Sequence, residues 1–185
     1  MISMKPSYPK LIVAGLTGLY FLSIAYDPMQ GSLLDIVDLP IHETGHLVFR
    51  IFGEFMGIAG GSLFQVIFPS VFVGYFVYQG SLYSASLVLF WVGQSLLNVF
   101  VYAGDAVKMQ LMLTSGMTGS EGGFHDWNYL LDATGLLNST DTVAGVIRFF
   151  GTVVIVAALA GAIYYSWPRN SDESNSHNRG FEWDR

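Results

Sequence analysis

The 185-residue chain contains no cysteine, few charged side chains and only four histidines. The absence of cysteine excludes disulfide bonds, thiolate metal sites and a cysteine nucleophile. Any metal ion must therefore be held by nitrogen and oxygen ligands. Charged residues make up 12% of the sequence and apolar residues 52%, whereas charged residues are about 25% of a typical soluble domain. We therefore expect much of the apolar surface to face lipid. The net charge of −6 does not favour nucleic-acid binding, which needs a basic stripe.

Five apolar segments are long enough to be membrane helices or parts of them, since about 20 apolar residues span a bilayer. They are residues 11–26, 36–53, 57–79, 82–104 and 143–167. The first predicts a membrane anchor, with a signal peptide cleaved after Ala25 as the alternative. Residues 1–167 are expected to form one membrane-embedded domain. Residues 168–185 are polar and predict a disordered tail.

The second segment differs from the others because it carries several ionisable side chains. We expect a helix that starts between Leu33 and Pro40, with the proline in its first turn, and ends near Phe52. It contains the sequence His-Glu-Thr-Gly-His at 42–46 and is too polar to be surrounded by lipid.

Polar residues and prolines in the later segments predict further details. Segment 57–79 is expected to be a kinked span or a re-entrant piece that breaks at Pro69. Segment 82–104 is expected to turn the polar face of Gln94, Ser95 and Asn98 into the protein. Thr140 or Asp141 is expected to cap the last helix.

The distribution of basic residues predicts the topology. Lys5 and Lys10 precede the first span, and three arginines follow the last one, so the positive-inside rule places both ends in the cytoplasm. Both ends share a side only if the number of crossings is even. The simplest arrangement is that segment 36–53 enters from the outer side and turns back at Gly53. The prediction is thus an all-α, multi-pass bundle in the cell membrane, with four to five membrane helices and a re-entrant or half-spanning second helix.

The pattern His42-Glu43-x-x-His46 predicts a zinc site. Residues four apart on an α-helix differ by about 40° in direction, so both imidazoles lie on one face and can bind one ion. Bound zinc lowers the pKa of a coordinated water to around 7, and a neighbouring carboxylate such as Glu43 can accept its proton. This pattern is typical of zinc peptidases.

A catalytic zinc ion needs a third protein ligand, and three candidates remain. Glu54 is excluded because eight helical residues separate it from the second histidine by about 12 Å, and His177 lies in the polar tail. Asp105 ends the fourth segment, and His125 and Asp126 are adjacent in the loop that follows. We rank Asp105 and His125 narrowly ahead of Asp126, which is alternatively a helix N-cap. With an even number of crossings, all three lie at the same, non-cytoplasmic face as the motif.

The HExxH helix, the apolar hairpin after it and the sequence Asn-Val-Phe-Val-Tyr-Ala-Gly-Asp at 98–105 resemble the core of the site-2 protease class of membrane metallopeptidases. The resemblance covers about residues 36–110. It implies that Asp105 is the third zinc ligand and that the reaction is hydrolysis of a peptide bond in or beside the membrane. The substrate would be a membrane protein or a membrane-proximal peptide. The chain departs from the class by lacking prolines between Asn98 and Asp105 and by having Ala106 after the aspartate.

Two other functions are compatible with the sequence. A metal-dependent membrane lipid hydrolase would use the same histidines, whereas a di-iron hydroxylase would need more of them. A non-catalytic membrane scaffold would keep the motif as a structural element. Arg50 could bind a substrate carboxylate, bind a lipid phosphate or pair with Asp38 or Glu54. Gly60-Gly61 predicts close helix packing or an extended edge for a peptide strand.

Overall fold

The computed structural model describes residues 5–167, and these are helical except for turns and one isolated β-bridge between Met112 and Thr118. The predicted disordered tail lies outside the described residues. Six α-helices occur in this part of the chain: α1 (Tyr8–Tyr26), α2 (Asp35–Phe49), α3 (Glu54–Tyr78), α4 (Leu82–Gly104), α5 (Asp126–Ala133) and α6 (Thr140–Tyr164). Short 3₁₀ turns lie at Pro28–Gln30, Arg50–Phe52, Gly119–Glu121 and Leu137–Ser139. The predicted all-α fold is confirmed.

Four of these helices, α1, α3, α4 and α6, are long and apolar enough to cross a membrane. Apolar side chains lie on all faces of these helices, which is typical of membrane helices. The protein is therefore a multi-pass membrane protein. The second helix has only 15 residues and is not among the spans, as the count of crossings predicts.

The long helices alternate in direction. The Ser7 N–H donates to the Ser166 carbonyl at 2.8 Å, so the start of α1 and the end of α6 lie at one end of the bundle. The Tyr83 hydroxyl donates to the Lys10 carbonyl at 2.7 Å, which places the start of α4 at the same end. We call this the terminal end. At the opposite end, which we call the site end, Arg148 donates to the last carbonyls of α1.

Glycines allow α4 and α6 to approach each other closely. A Cβ atom on Gly93 would lie 2.6 Å from Cγ1 of Ile155, and one on Gly151 would lie 3.1 Å from the Gly93 carbonyl oxygen. Small residues at such a crossing increase van der Waals contact between membrane helices. The core continues to α1, where Phe21 stacks on Phe90 with ring centroids 5.2 Å apart.

Helix α2 begins in the middle of the bundle. The Leu33 N–H donates to the Tyr20 hydroxyl at 2.9 Å, so residues 27–34 return along α1 towards the bundle centre. From there α2 runs to the site end, where the His46 ring bonds the Gly57 carbonyl near the start of α3. The sequence predicted that α2 enters the bundle from the outer side and turns back at Gly53. In the structure residues 27–34 enter the bundle instead, and α2 runs back out to the site end.

Several local predictions have clear outcomes. Helix α3 continues without interruption through Pro69, so the predicted break at this proline is wrong. Pro40 lies in the second turn of α2, not the first. The N-cap of α6 is Ser139, and Thr140 instead donates to the Leu137 carbonyl at 2.7 Å. The inward direction of the polar face on α4 is confirmed, because Gln94 is 1% exposed.

Candidate metal centre

The two motif histidines lie on successive turns of α2 and share one face, as their spacing predicts. Their ring centroids are 4.8 Å apart. The Nε2 atom of His42 lies 3.1 Å from Oδ2 of Asp126, and that of His46 lies 3.3 Å from the same oxygen. Two imidazoles and one carboxylate therefore converge on a single point at the site end of the bundle.

Asp126 reaches this point from the first residue of α5. Its backbone N–H donates to the Tyr102 hydroxyl of α4 at 3.1 Å. The Trp127 indole donates to the Ser62 hydroxyl of α3 at 3.0 Å, and the Asn128 side chain donates to the Ala106 carbonyl at 2.9 Å. These bonds hold the start of α5 against α3 and α4, which fixes the direction of the Asp126 carboxylate.

The spacing of the three side chains is compatible with a metal ion. For zinc, bond lengths of about 2.0–2.1 Å in a tetrahedron place neighbouring ligand atoms about 3.3 Å apart, and the two His–Asp distances of 3.1 and 3.3 Å are close to this edge. One donor atom from each of His42, His46 and Asp126 lies within 4.8 Å of the others. The described residues supply three ligands, which leaves one tetrahedral position for water.

The Nδ1 atoms of both imidazoles have hydrogen-bond partners of the kind found beside metal-ligating histidines. Nδ1 of His42 lies 3.2 Å from Oε1 of Gln65, and Nδ1 of His46 lies 2.9 Å from the Gly57 carbonyl. Both partners are acceptors, so each Nδ1 carries its hydrogen and each Nε2 can offer its lone pair to an ion. Such a bond from the second ring nitrogen is usual for metal-ligating histidine.

Gly61 leaves the space in which the imidazoles meet. A Cβ atom at this position would lie 2.5 Å from Nε2 of His42 and 2.7 Å from Cε1 of His46. Any other residue would therefore displace the ligand atoms. The sequence pointed to Gly60-Gly61 as a site of close helix packing, and Gly60 has that role, since its Cβ would lie 2.6 Å from the Gly45 carbonyl oxygen.

Without metal, a proton occupies the centre. The hydrogen bond to Asp126 raises the pKa of His46 from 6.5 to about 9, against the opposing effect of burial. Burial alone would raise the pKa of Asp126, but its contacts with the His42 and His46 rings outweigh burial and lower that pKa. His46 is thus an imidazolium at neutral pH, with Nδ1–H on the Gly57 carbonyl and Nε2–H on the carboxylate. A divalent cation can replace this proton.

Asp105 and His125, which the sequence ranked ahead of Asp126, do not join this cluster. They face each other, with Nε2 of His125 3.4 Å from Oδ2 of Asp105. The Asp105 carboxylate also accepts the N–H groups of Gln110 and Leu111 at 3.0 and 2.8 Å. We call this pair and its two backbone bonds the loop clasp. It closes the segment between α4 and α5, so the two residues hold the polypeptide that presents Asp126.

The helix boundary explains why Asp126, and not His125, lies next to the two motif histidines. His125 is the N-cap of α5, and its Nδ1 accepts the Asn128 N–H at 3.2 Å. Burial lowers its pKa, which keeps the ring neutral and able to accept that bond. Adjacent residues at a helix start point about 100° apart, so only one of the His-Asp pair can face the motif. An exact helix start would have been needed to identify Asp126.

Glu43 lies beside the cluster on the wall of a cavity of about 1020 Å³. Its neighbours on that wall include the charged side chains of Arg50 and Glu54 at the end of α2 and the start of α3. Asp38, one of the partners expected for Arg50, bonds the Trp91 indole instead at 2.7 Å. Much of the remaining surface is apolar, from Leu39, Ile58, Val101, Leu111, Met112 and Phe124. The cavity can therefore take an apolar chain next to a polar reaction centre.

Three residues of the centre were not identified from the sequence: Gln65, Gly57 and Tyr102. Gln65 is 2% exposed and is an amide inside the otherwise apolar α3, so its polarity was the only available signal. Gly57 acts through its carbonyl and Tyr102 through its hydroxyl, and neither residue type is unusual in a membrane helix. No family model, characterised protein or solved structure matches this chain.

Proposed function

We propose that the chain is a membrane-embedded zinc metallopeptidase that hydrolyses peptide bonds in or next to the membrane. The observation that supports this most is the convergence of His42, His46 and Asp126 on one point, with Glu43 on the adjoining cavity wall. The motif carries the same three residue types in the order that zinc peptidases use. The resemblance to the site-2 protease class supports a peptide, and not a lipid, as the substrate.

Each residue has a distinct role in this proposal. His42, His46 and Asp126 hold zinc, which when bound acidifies a water molecule and polarises a carbonyl group. Glu43 accepts the proton of the attacking water and then transfers it to the amine that leaves. Gln65 and the Gly57 carbonyl keep the histidines in the tautomer that ligates. The apolar part of the cavity wall would hold an apolar segment of the substrate.

We further propose that the centre faces the non-cytoplasmic side. Lys5 and Lys10 lie beside the terminal end of the bundle, where the positive-inside rule places the cytoplasm. The metal centre lies at the opposite end. A substrate would then reach the cavity from the outer leaflet or from the external solution.

The test uses the purified full chain in detergent and two carboxylates on the same cavity wall. Glu43→Gln should retain about one zinc per chain and lose peptidase activity by about 10²-fold or more, since general base catalysis contributes 10²–10⁴-fold. Glu54→Gln is the matched control and should keep both metal and activity. His46→Ala should lose the metal. Activity is read by mass spectrometry as new amino termini in a mixture of synthetic single-span peptides.

Two results would contradict the proposal. Zinc-loaded wild-type protein that releases fatty acid from phospholipid vesicles, but cuts no peptide, would identify a lipid hydrolase. Equal zinc contents in the wild type and the His46→Ala variant would exclude the proposed centre and favour a scaffold.

A further inference from the structure

A second buried polar cluster lies at the start of α2, in the middle of the bundle. The Asp35 carboxylate accepts three N–H groups: from Gln94 at 2.8 Å, from Asn98 at 3.1 Å and from the Ser32 backbone at 2.7 Å. Three donors on one carboxylate stabilise its charged form. Asp35 is thus well hydrogen-bonded, and it lies partly buried on the cavity wall.

Asp38 lies one turn further along α2 and has the opposite surroundings. It is 1% exposed, and its Oδ1 accepts a single hydrogen bond, from the Trp91 indole at 2.7 Å. Its Oδ2 is fully buried and has no partner. Oε1 of Gln94 is likewise buried without a partner. A buried carboxylate with so few hydrogen bonds is costly, and a proton on Oδ2 would remove its charge.

No basic side chain compensates a second negative charge here. Among residues 5–167, no lysine, arginine or histidine lies within ion-pair distance of Asp35 or Asp38. The groups that face Asp38 from α3 and α4 are the neutral side chains of Gln65, Trp91 and Gln94, and Asp35 is the titratable group that faces it from α2. A nearby carboxylate disfavours a second negative charge, so Asp35 adds to the cost of ionising Asp38.

We propose that Asp38 is a buried proton-binding site that stays neutral at physiological pH, with its hydrogen on Oδ2. A metal cation fits less well, because a hard cation such as Ca²⁺ takes six to eight oxygen ligands, whereas the described residues hold three buried side-chain oxygens without a partner, on Asp38, Gln94 and Ser95. Burial, the largest effect on this group, raises the pKa of Asp38, which agrees with the proposal.

The position of this proton determines the direction of a chain of hydrogen bonds that ends at the metal centre. Asn98 donates to Asp35, Gln65 donates to Oδ1 of Asn98 at 2.9 Å, and Nδ1 of His42 lies 3.2 Å from Oε1 of Gln65. Every donor in the chain points towards Asp35. The acceptor at Asp35 thus fixes both amide orientations and keeps the hydrogen of His42 on Nδ1. A proton on Oδ2 of Asp35 would instead oppose the Ser32 N–H that donates to this oxygen.

The experiment compares Asp38→Asn with Asp35→Asn in the purified full chain. Asparagine can replace a neutral Asp38, because its amide also accepts from Trp91 and carries N–H groups where the acid carries O–H. We expect its unfolding midpoint to shift by less than about 3 °C, whereas Asp35→Asn should lower the midpoint by about 10 °C or more, since it weakens two charge-assisted bonds and places an amide donor against the Ser32 N–H. Asp38→Asn should also keep the zinc content of the wild type, so this test is separate from that of the peptidase function.

Infrared spectroscopy measures the proton directly and does not depend on the stability of either variant. The wild type at pH 7 should show the C=O stretching band of a protonated carboxylic acid, and Asp38→Asn should lack it. Absence of this band from the wild type would overturn the proposal. So would a band that disappears when Na⁺ or K⁺ is added, because a cation would then be the occupant. Equal destabilisation by the two substitutions would contradict the assignment of the proton to Asp38.

Discussion

At the scale of single residues, Gly61 is the position where one added methyl group should abolish metal binding. A Cβ atom there would lie within 2.7 Å of atoms in both histidine rings. We expect Gly61→Ala to fold and to bind less than about a tenth of the wild-type zinc. Gly74→Ala is the matched control on the same helix, since nothing lies within 4 Å of its Cβ position; it should keep its zinc and gain about 0.5–1 kcal/mol of helix stability. Atomic absorption and circular dichroism measure the two quantities, and wild-type zinc in Gly61→Ala would exclude this centre.

His46 makes metal binding dependent on pH. Its pKa in the metal-free protein is raised from 6.5 to about 9 by the hydrogen bond to Asp126. The protonated ring therefore stabilises the metal-free fold fully below pH 6.5, and this contribution is lost as the pH rises through 9. Zinc must displace the proton, so its apparent affinity should rise about tenfold per pH unit up to about pH 9 and then level off. Calorimetry in two buffers with different ionisation enthalpies should detect about one proton released per zinc at pH 7.5, and no proton release would contradict the proposed pair.

At the scale of helices, the sequence was sufficient to predict the elements whose structure depends on the length of an apolar run. Each of the four long helices lies where a long apolar run with few charged residues occurs, because lipid requires a closed hydrogen-bonded backbone. The direction of α2 was not predictable, since it depends on the contact of the preceding loop with Tyr20. The sequence also did not predict which of His125 and Asp126 lies next to the two motif histidines, because that depends on which of them is the first residue of α5.

The loop clasp makes a prediction about how α5 is held in place. Asp126→Ala should remove a ligand and abolish zinc binding. His125→Ala should keep one zinc per chain at saturation but bind it about 10–100-fold more weakly, as is typical when a residue that supports a ligand is lost. Competition with a chromophoric chelator measures both affinities. If His125→Ala bound no zinc even at saturation, His125 would be a ligand itself, and the assignment of Asp126 would need revision.

At the scale of the whole molecule, α4 contributes both to the apolar core and to the metal centre. One side packs on α1 and α6 through Phe90, Leu97 and the glycine crossing, and this side forms the apolar core. The other side presents Trp91, Asn98 and Tyr102 to α2, α3 and α5. A change in the tilt of α4 would therefore disturb the core and the metal centre together. This arrangement places the metal centre and the Asp35–Asp38 cluster together on one side of a continuous apolar interface.

The absence of cysteine allows the topology of the intact protein to be tested with single introduced thiols. The exposed residues Gln79 and Trp167 lie at the terminal end, and Ser115 lies at the site end. With four crossings, Ser115→Cys should react with a membrane-impermeant maleimide on intact cells, whereas Gln79→Cys and Trp167→Cys should react only after permeabilisation. Gln79→Cys and Trp167→Cys on opposite sides would mean an odd number of crossings, and the fold would be wrong. If Ser115→Cys reacted only after permeabilisation and the other two variants reacted on intact cells, the fold would stand. The metal centre would then face the cytoplasm, because it lies at the same end of the bundle as the loop that contains Ser115.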